Sequence, residues 1–215
     1  MINLSNYQKI ISELKPFNAQ LVAVSKTKPI EDIQELQANN QKIFGENYVQ
    51  ELLEKATKII NADWHFIGHL QSNKVKSILP VTKLIHGVDS IKLLVEINKQ
   101  AQKQNLIMNC LLQIHIASEE TKFGLTFEEG DEFFNGSMIN TLKNINIKGL
   151  MGMASNTEDN DLIRTEYKTL GKFFCKHKSF GMDTLSMGMS SDYMLALDEG
   201  STIVRIGSAI FGSRI

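Results

Sequence analysis

Short apolar runs alternate with longer amphipathic stretches along most of the chain. The short runs span only a few residues, several are rich in Val and Ile, and turn residues separate them, which is typical of β-strands. The pattern predicts strands over residues 21–24, 42–44, 64–67, 84–86, 111–116, 147–151, 184–187 and 202–206. The first run, Leu21 to Val24, is wholly apolar and indicates a strand buried in a core.

The stretches between these runs have apolar residues at intervals of three and four, as on one face of a helix. Pro29 opens one such stretch, at a position where its missing N–H costs little. Asp89 and Ser90 precede another, as helix-capping residues do. A further helix is predicted at the N-terminus, with its apolar face at Leu4, Tyr7, Ile11 and Leu14 and its end at Pro16.

The order of these elements indicates the fold class. Strands that alternate with helices pair in parallel through right-handed crossovers, and eight such units close most naturally into a (β/α)8 barrel. An open doubly wound sheet is the alternative, but no glycine-rich dinucleotide fingerprint follows the first strand. We therefore predict the α/β class, with residues 1–215 forming a single TIM-type barrel domain that carries an extra N-terminal helix.

Composition and charge argue against several functional classes. The formal net charge is −1 with no long run of one sign, whereas a duplex-binding protein carries a basic field. No apolar stretch is long enough to cross a bilayer, and the N-terminal sequence lacks the features of a signal peptide. Cys110 and Cys175 form no C-x-x-C pattern, so we expect reduced packing residues in a cytoplasmic protein without a nucleic-acid or membrane partner.

Polar residues and glycines concentrate at the carboxyl ends of the predicted strands, where a TIM barrel binds its ligands. The last two strands lead into Met189-Ser190-Ser191 and Ile206-Gly207-Ser208. Glycine lets an anion approach backbone amides, serine adds a hydroxyl donor, and a helix N-terminus adds a favourable dipole. An ordinary turn would also explain Gly207-Ser208, but the position after strands seven and eight favours a phosphate site.

A lysine and an arginine lie at the same predicted rim. Lys26 ends the first strand opposite the phosphate loops, which places it to form a Schiff base with a phosphorylated aldehyde. Its ammonium group must lose a proton to become nucleophilic, and a nearby cation would favour that loss. Arg205, on the adjacent eighth strand, could be that cation or a hydrogen-bond donor to the ligand. The alternatives are a lysine that extends into water and an arginine that forms a salt bridge outside the barrel.

Six segments of the chain resemble one known family. They read "LVAVSKTKP", "FGENYVQE", "WHFIGHLQSNK", "LLQIHIASEETKFG", "GLMGMAS" and "LSMGMSSDYMLALDEGSTIVRIGSAIFG". Together they resemble the pyridoxal 5′-phosphate homeostasis proteins, also called proline synthetase co-transcribed homologues, which are single-domain relatives of the alanine racemase barrel. The resemblance runs over residues 21–214, and its motifs occur in order.

The resemblance implies a set of contacts to pyridoxal 5′-phosphate. It implies that Lys26 carries the cofactor as an internal aldimine, that Arg205 faces the pyridine nitrogen and that Asn47 lies near the ring. The implied phosphate contacts are Ser190, Gly207 and Ser208, and the implied residues at or just behind the pocket wall are His69 and Met187. The sequence departs from the family pattern at His115, where Asn is usual, and in "ETKFG", which replaces a more usual "ESKxG".

The resemblance and the residues together imply a carrier rather than an enzyme. Related barrels that catalyse racemisation or decarboxylation carry a second, β-rich domain, whereas the predicted barrel takes up this chain. A cation at the pyridine nitrogen also disfavours ring protonation, which makes the ring a poorer electron sink. We expect a monomer that binds pyridoxal 5′-phosphate and buffers it or delivers it to apo enzymes that depend on it.

Two other functions are compatible with the sequence. One is a low-activity, pyridoxal-phosphate-dependent amino-acid racemase. The other is a metal-dependent hydrolase whose candidate ligands are His65, His69, His86 and His115. His65 and His69 lie across a strand and a turn rather than on a helix, and no carboxylate at the usual spacing accompanies them, so we predict no metal site.

Overall fold

Eight parallel strands close into a barrel in the computed structural model, which describes residues 2–212. Each strand pairs with the next along the chain, and β1 pairs with β8. The strands are β1 Gln20–Val24, β2 Ile43–Glu46, β3 Asp63–Phe66, β4 Leu84–Val88, β5 Met108–Gln113, β6 Ile145–Met151, β7 Thr184–Ser186 and β8 Ile203–Ile206. The prediction of one domain over residues 1–215 stays a prediction, since residues 1 and 213–215 lie outside the described residues.

One α-helix precedes the barrel and one follows every strand. The helices are α1 Leu4–Leu14, α2 Ile30–Ala38, α3 Val49–Lys58, α4 Val75–Ile78, α5 Ile91–Lys103, α6 Phe127–Asn135, α7 Asn160–Lys176, α8 Tyr193–Asp198 and α9 Ser208–Phe211. Short 3₁₀ helices cover Lys15–Phe17, Ser72–Lys74, Met138–Thr141 and Lys178–Phe180. The predicted (β/α)8 barrel with an extra N-terminal helix is therefore confirmed. None of the helices in residues 2–212 is long and apolar enough to cross a membrane.

The predicted strand bounds differ from the observed ones mainly at β2 and β5. β2 continues past Phe44 to Glu46. The Glu46 carboxylate accepts a hydrogen bond from Lys55 inside the protein, so this charged residue can remain part of a buried strand. β5 begins at Met108, where it pairs with Ile145, and the chain leaves the sheet after Gln113. Such shifts arise because pairing with neighbouring strands, rather than local apolar content, sets where a strand begins and ends.

The barrel separates two apolar regions. The larger one lies between the outer face of the strands and the helices, and it contains Phe44, Phe66 and Val204. The smaller one fills the inside of the barrel, where Val22, Leu84, Leu111, Met151 and Ile203 form a separate cluster. Because side chains on a strand alternate between its two faces, the residue two positions after an inward one also points inward.

This alternation determines which polar groups enter the barrel. His86 lies two positions after Leu84, and Arg205 lies two positions after Ile203. Both side chains are buried inside the barrel, toward the carboxyl ends of the strands. The interior therefore changes from an apolar layer to a polar layer as it approaches the rim where barrels bind ligands.

Candidate functional site

A cavity of about 390 Å³ opens at the carboxyl ends of the strands. Six of the eight predicted binding residues line it, namely Lys26, Asn47, Ser190, Arg205, Gly207 and Ser208. Most of them come from the loops after β1, β2, β7 and β8, whereas Arg205 lies within β8 and Ser208 is the first residue of α9. The structure thus brings together a primary amine, a guanidinium group, an amide and two hydroxyl groups around one space.

Lys26 occupies the first turn after β1, and its neighbour Thr27 has an unusual backbone conformation. The φ angle of Thr27 is 62°, in the left-handed region that β-branched residues rarely adopt. Such a conformation costs on the order of 1–3 kcal/mol and persists only where surrounding contacts fix it. Lys28, the next residue, donates from Nζ to the carbonyl oxygens of Phe211 (3.0 Å) and Gly212 (3.2 Å), which ties this loop to the end of α9.

The predicted phosphate side combines Ser190 with the Gly207–Ser208 turn. The Gly207 N–H donates to the Ser190 hydroxyl over 3.3 Å, so the loops after β7 and β8 are joined directly. A Cβ atom at position 207 would lie 3.2 Å from the carbonyl oxygen of Val24, which favours glycine at this close approach. Asp192 accepts from the Met189 N–H over 2.6 Å and fixes the other end of the β7 loop. The hydroxyl groups of this side thus face the cavity from braced loops.

Asn47 supplies an unused acceptor to the cavity wall. Its Oδ1 atom is buried and accepts no hydrogen bond from residues 2–212. A buried acceptor without a donor is costly, and a donor group on a bound ligand would remove that cost. The backbone of Asn47 packs closely against Gly68. A Cβ atom at position 68 would lie only 2.3 Å from the Asn47 carbonyl oxygen, so this approach requires glycine. The lining of the cavity therefore includes an amide side chain at Asn47 in addition to the hydroxyl groups of Ser190 and Ser208.

Arg205 forms the floor of the cavity and is almost fully buried. Its Nη1 donates to the carbonyl oxygen and the hydroxyl of Ser186 (2.9 and 2.6 Å), and its Nη2 donates to the Gly152 carbonyl oxygen (3.1 Å). These three bonds leave two of the five guanidinium N–H groups for a ligand. Burial lowers the pKa of Arg205, and the nearby Tyr167 and Asp192 oppose that effect. The alternative of a salt bridge outside the barrel is wrong.

Two buried histidines extend this hydrogen-bonded chain through the barrel. Ser186 Oγ lies 3.0 Å from His86 Nδ1, and His86 Nε2 lies 2.9 Å from His65 Nδ1. Since Ser186 Oγ accepts from Arg205, its own proton goes to His86, which in turn donates to His65. Burial lowers the pKa of His65 to about 4. Burial also lowers the pKa of His86 well below its usual value, and the charges of His65 and Arg205 add to that effect. Both imidazoles are therefore neutral near pH 7.

From the sequence, His65 and His86 were considered only as candidate metal ligands. Residues 2–212 contain no group of three or more His, Cys, Asp or Glu side chains that could hold a metal ion. Their contacts could have been inferred from strand alternation. It turns His65, His86 and Ser186 into the barrel interior, where Arg205 also lies. Sequence reasoning also missed Glu46, Glu51 and Lys55, which cluster behind the Lys26 turn. Their signal was a glutamate at the end of a buried strand, followed by a Glu–Lys pair spaced four residues apart.

The other two predicted binding residues do not line this cavity. His69 is half-exposed, with Nδ1 2.8 Å from Asp89 Oδ2 and its ring stacked on Phe123. Met187 is fully buried in the outer core, because its neighbour Ser186 already points into the barrel and alternation turns Met187 outward. His115, the departure on the fifth strand, bonds through Nε2 to the Glu119 carbonyl oxygen and also lies off the cavity wall.

Sequence comparison places the chain among characterised families. The family model of the alanine racemase N-terminal domain matches residues 4–215. The pyridoxal phosphate homeostasis protein of Aquifex aeolicus (strain VF5) is 39% identical over 201 residues, which cover 91% of this chain and 87% of that protein. The pyridoxal phosphate homeostasis protein of Synechocystis sp. (strain ATCC 27184 / PCC 6803 / Kazusa) is 36% identical over 221 residues and covers both chains completely.

Solved structures show the same barrel. PipY of Synechococcus elongatus PCC7942, solved with PLP bound, has a TM-score of 0.86 at 30% identity and covers 97% of this chain and 99% of that chain. The same protein without PLP has a TM-score of 0.90 at 31% identity, with the same coverage. Alanine racemase of Clostridium difficile 630 has a TM-score of 0.79 at 15% identity over 99% of this chain and 58% of that one, which is a likeness of fold alone.

Proposed function

This chain belongs to the pyridoxal phosphate homeostasis proteins, and from that membership we propose that it binds pyridoxal 5′-phosphate through a Schiff base to Lys26 and buffers or delivers the cofactor. One observation carries the proposal: a single cavity gathers Lys26, Arg205 and the hydroxyl-bearing loops after β7 and β8. PLP bound to PipY, which has the same barrel, supports the choice of ligand. Recipient apo enzymes and a monomeric state are part of the proposal.

Different residues around the cavity would contact different parts of the cofactor. When bound, the cofactor supplies an aldehyde whose carbon forms a C=N bond with a primary amine and releases water. Lys26 provides that amine from the end of β1. Ser190 and Ser208 would offer hydroxyl donors to the phosphate, and the Gly207–Ser208 turn would offer backbone amides at the start of α9. Asn47, which lines the same cavity, would lie near the ring.

Arg205 favours storage of the cofactor over chemistry on amino acids. A guanidinium group cannot act as a hydrogen-bond acceptor and keeps its proton at ordinary pH. A pyridine nitrogen held against Arg205 would therefore accept a hydrogen bond and would stay unprotonated. An unprotonated ring withdraws electrons weakly, so the site stabilises a negative charge on a bound amino acid poorly. Arg205 is held in this orientation by Ser186 and Gly152.

Cofactor transfer tests this proposal. Loaded protein, freed of unbound cofactor by gel filtration, is mixed with the apo form of a pyridoxal-phosphate-dependent aminotransferase, and recovery of aminotransferase activity is followed. We expect recovery with the parent protein and little with Lys26→Ala, which should retain much less cofactor through filtration. A parent protein that retains no cofactor would contradict the proposal.

Proton exchange distinguishes the carrier from the racemase alternative. The loaded protein is incubated with alanine in deuterated buffer, and the α-proton signal of alanine is followed by NMR. A carrier should leave that signal at the level given by free cofactor alone. Exchange that is much faster with the protein than with free cofactor, and that disappears in Lys26→Ala, would show the protein to be an enzyme.

A further inference from the structure

A cluster of three ionisable side chains, two of them buried, lies directly behind the turn that carries Lys26. Glu46 ends β2, and Glu51 and Lys55 lie one turn apart on α3. The Lys55 ammonium donates to Glu46 Oε1 (2.8 Å), to Glu51 Oε2 (2.8 Å) and to the Ser25 carbonyl oxygen (2.7 Å). Its side chain is only 7% exposed, and that of Glu46 is fully buried. All three protons of this ammonium group are therefore used inside the protein.

The cluster contacts the residues on both sides of Lys26. The Ser25 hydroxyl donates to Glu46 Oε1 over 2.7 Å, and the Ser25 carbonyl oxygen accepts from Lys55. On the other side, the Thr27 N–H donates to Glu51 Oε2 over 2.7 Å. The bond to Glu51 supports the left-handed conformation of Thr27, which turns the chain between the end of β1 and the start of α2.

The cluster contains two carboxyl groups and one ammonium group, and the pKa values of the two carboxyl groups shift in opposite directions. Burial raises the pKa of Glu46, and the hydrogen bonds from Lys55 and Ser25 oppose that effect only in part. Burial would also raise the pKa of Glu51, but the hydrogen bonds from Lys55 and the Thr27 N–H outweigh it, so the pKa of Glu51 lies below its usual value. The bond that holds Thr27 is thus made by the carboxylate that ionises more readily.

We propose that Glu46, Glu51 and Lys55 are positioning residues that hold the Ser25–Thr27 turn and thereby direct the Lys26 amine into the cavity. The inference rests on the proposed function, since it concerns the same lysine. The cluster touches Ser25 and Thr27 rather than the cavity, so its removal should impair covalent attachment at Lys26 without altering the phosphate side.

Glu51→Ala is the informative variant because Glu51 is partly exposed, with 28% of its side chain accessible. Lys55→Met would leave Glu46 as an unpaired buried charge and could prevent folding. Pyridoxal 5′-phosphate and pyridoxamine 5′-phosphate serve as paired probes, since both carry the phosphate and the ring but only the first has an aldehyde. We expect the dissociation constant for pyridoxal 5′-phosphate to rise about tenfold, as for the loss of a charge-assisted hydrogen bond. The constant for pyridoxamine 5′-phosphate should change by less than about twofold.

Two further variants act as controls. Glu51→Gln retains an oxygen that accepts from Thr27, so it should restore most of the affinity for the aldehyde. Lys58→Met breaks an exposed ion pair with Glu54 (2.7 Å) on the same helix, and both affinities should stay at the parent values. Hydrogen exchange at the Thr27 amide, which loses its acceptor, should accelerate in Glu51→Ala only.

The outcomes separate this inference from the proposed function. A parent protein that does not attach pyridoxal 5′-phosphate would overturn the proposed function. If the parent attaches it and Glu51→Ala binds both probes as the parent does, the positioning role is wrong while the function stands. Equal weakening of both probes would likewise contradict the inference, because it would indicate general damage to the cavity.

Discussion

Arg205 shows how a single residue derives its role from its neighbours. Its sequence context, between Val204 and Ile206, is apolar on both sides and is compatible with either face of a strand. The structure turns it inward, where Ser186 and Gly152 hold it and the neutral chain of His86 and His65 continues from it. The groups that accept hydrogen bonds from Arg205 are neutral, so its charge is not consumed in a direct ion pair at the cavity floor.

Acid should destabilise the fold through His65. Burial lowers the pKa of His65 to about 4 in the folded protein, against 6.5 for an unperturbed group. Below pH 6.5 the unfolded chain binds a proton that the folded imidazole does not, so the free energy of unfolding falls as the pH decreases towards 4. Between pH 7 and pH 5 the loss from this group should be about 2 kcal/mol.

Urea unfolding at the two pH values, for the parent and for His65→Asn, measures this loss. Asn can still accept from His86 but does not titrate, so the variant should lose clearly less stability than the parent between pH 7 and pH 5. The remaining loss would come from His86, whose pKa is also lowered by burial, and from other groups. An identical loss in both proteins would remove His65 from this role.

At the scale of elements, the proposed preference for a phosphorylated ligand rests on the loops after β7 and β8. Asp192 braces the first loop, and the Gly207 N–H joins it to the second through Ser190. The second loop leads at once into α9, which α1 holds through the bond from Asn6 Nδ2 to the Ala209 carbonyl oxygen (2.6 Å). The extra N-terminal helix thus supports the phosphate side from behind.

These loops should make affinity depend strongly on the phosphate. Each charge-assisted hydrogen bond contributes roughly 1.5–3 kcal/mol, so losing two or more should weaken binding by at least about a hundredfold. Fluorescence titration of the apo protein with pyridoxal 5′-phosphate and with pyridoxal measures this difference. Ser208→Ala should weaken only the phosphorylated ligand, and Ser77→Ala, a surface change, should affect neither. Comparable affinities for the two aldehydes would place the phosphate site elsewhere.

The sequence predicted elements better than it predicted their contacts. Glycine and serine after β7 and β8 carry a local signal for anion binding, so Ser190, Gly207 and Ser208 could be predicted as phosphate contacts, and the structure places all three on the wall of one cavity. His69 and Met187 were placed at or behind the pocket wall by resemblance alone, yet strand alternation turns Met187 outward and Asp89 holds His69 away from the cavity. The cluster of Glu46, Glu51 and Lys55 was not predicted, because its contacts join β2 and α3 to the turn after β1, which is distant in sequence.

At the scale of the molecule, closure of the barrel joins sites that are distant in sequence. Pairing of β1 with β8 brings Lys26 and Arg205 to one cavity, although 179 positions separate them. Strand and helix periodicity predicted this closure, because eight alternating units have few other ways to bury both faces of a parallel sheet. The interior hydrogen-bonded chain could not be predicted in the same way, since it depends on registers between strands that local patterns do not specify.

Attachment of pyridoxal 5′-phosphate at Lys26 can be tested by identifying the lysine that carries the cofactor. Protein loaded with pyridoxal 5′-phosphate is treated with borohydride, which reduces the C=N bond, and the labelled peptide is identified by mass spectrometry. We expect about one label per chain, located on Lys26, and loss of that label in Lys26→Arg. Label found mainly on Lys74, on Lys122 or on Lys28, which lines the same cavity, would contradict it.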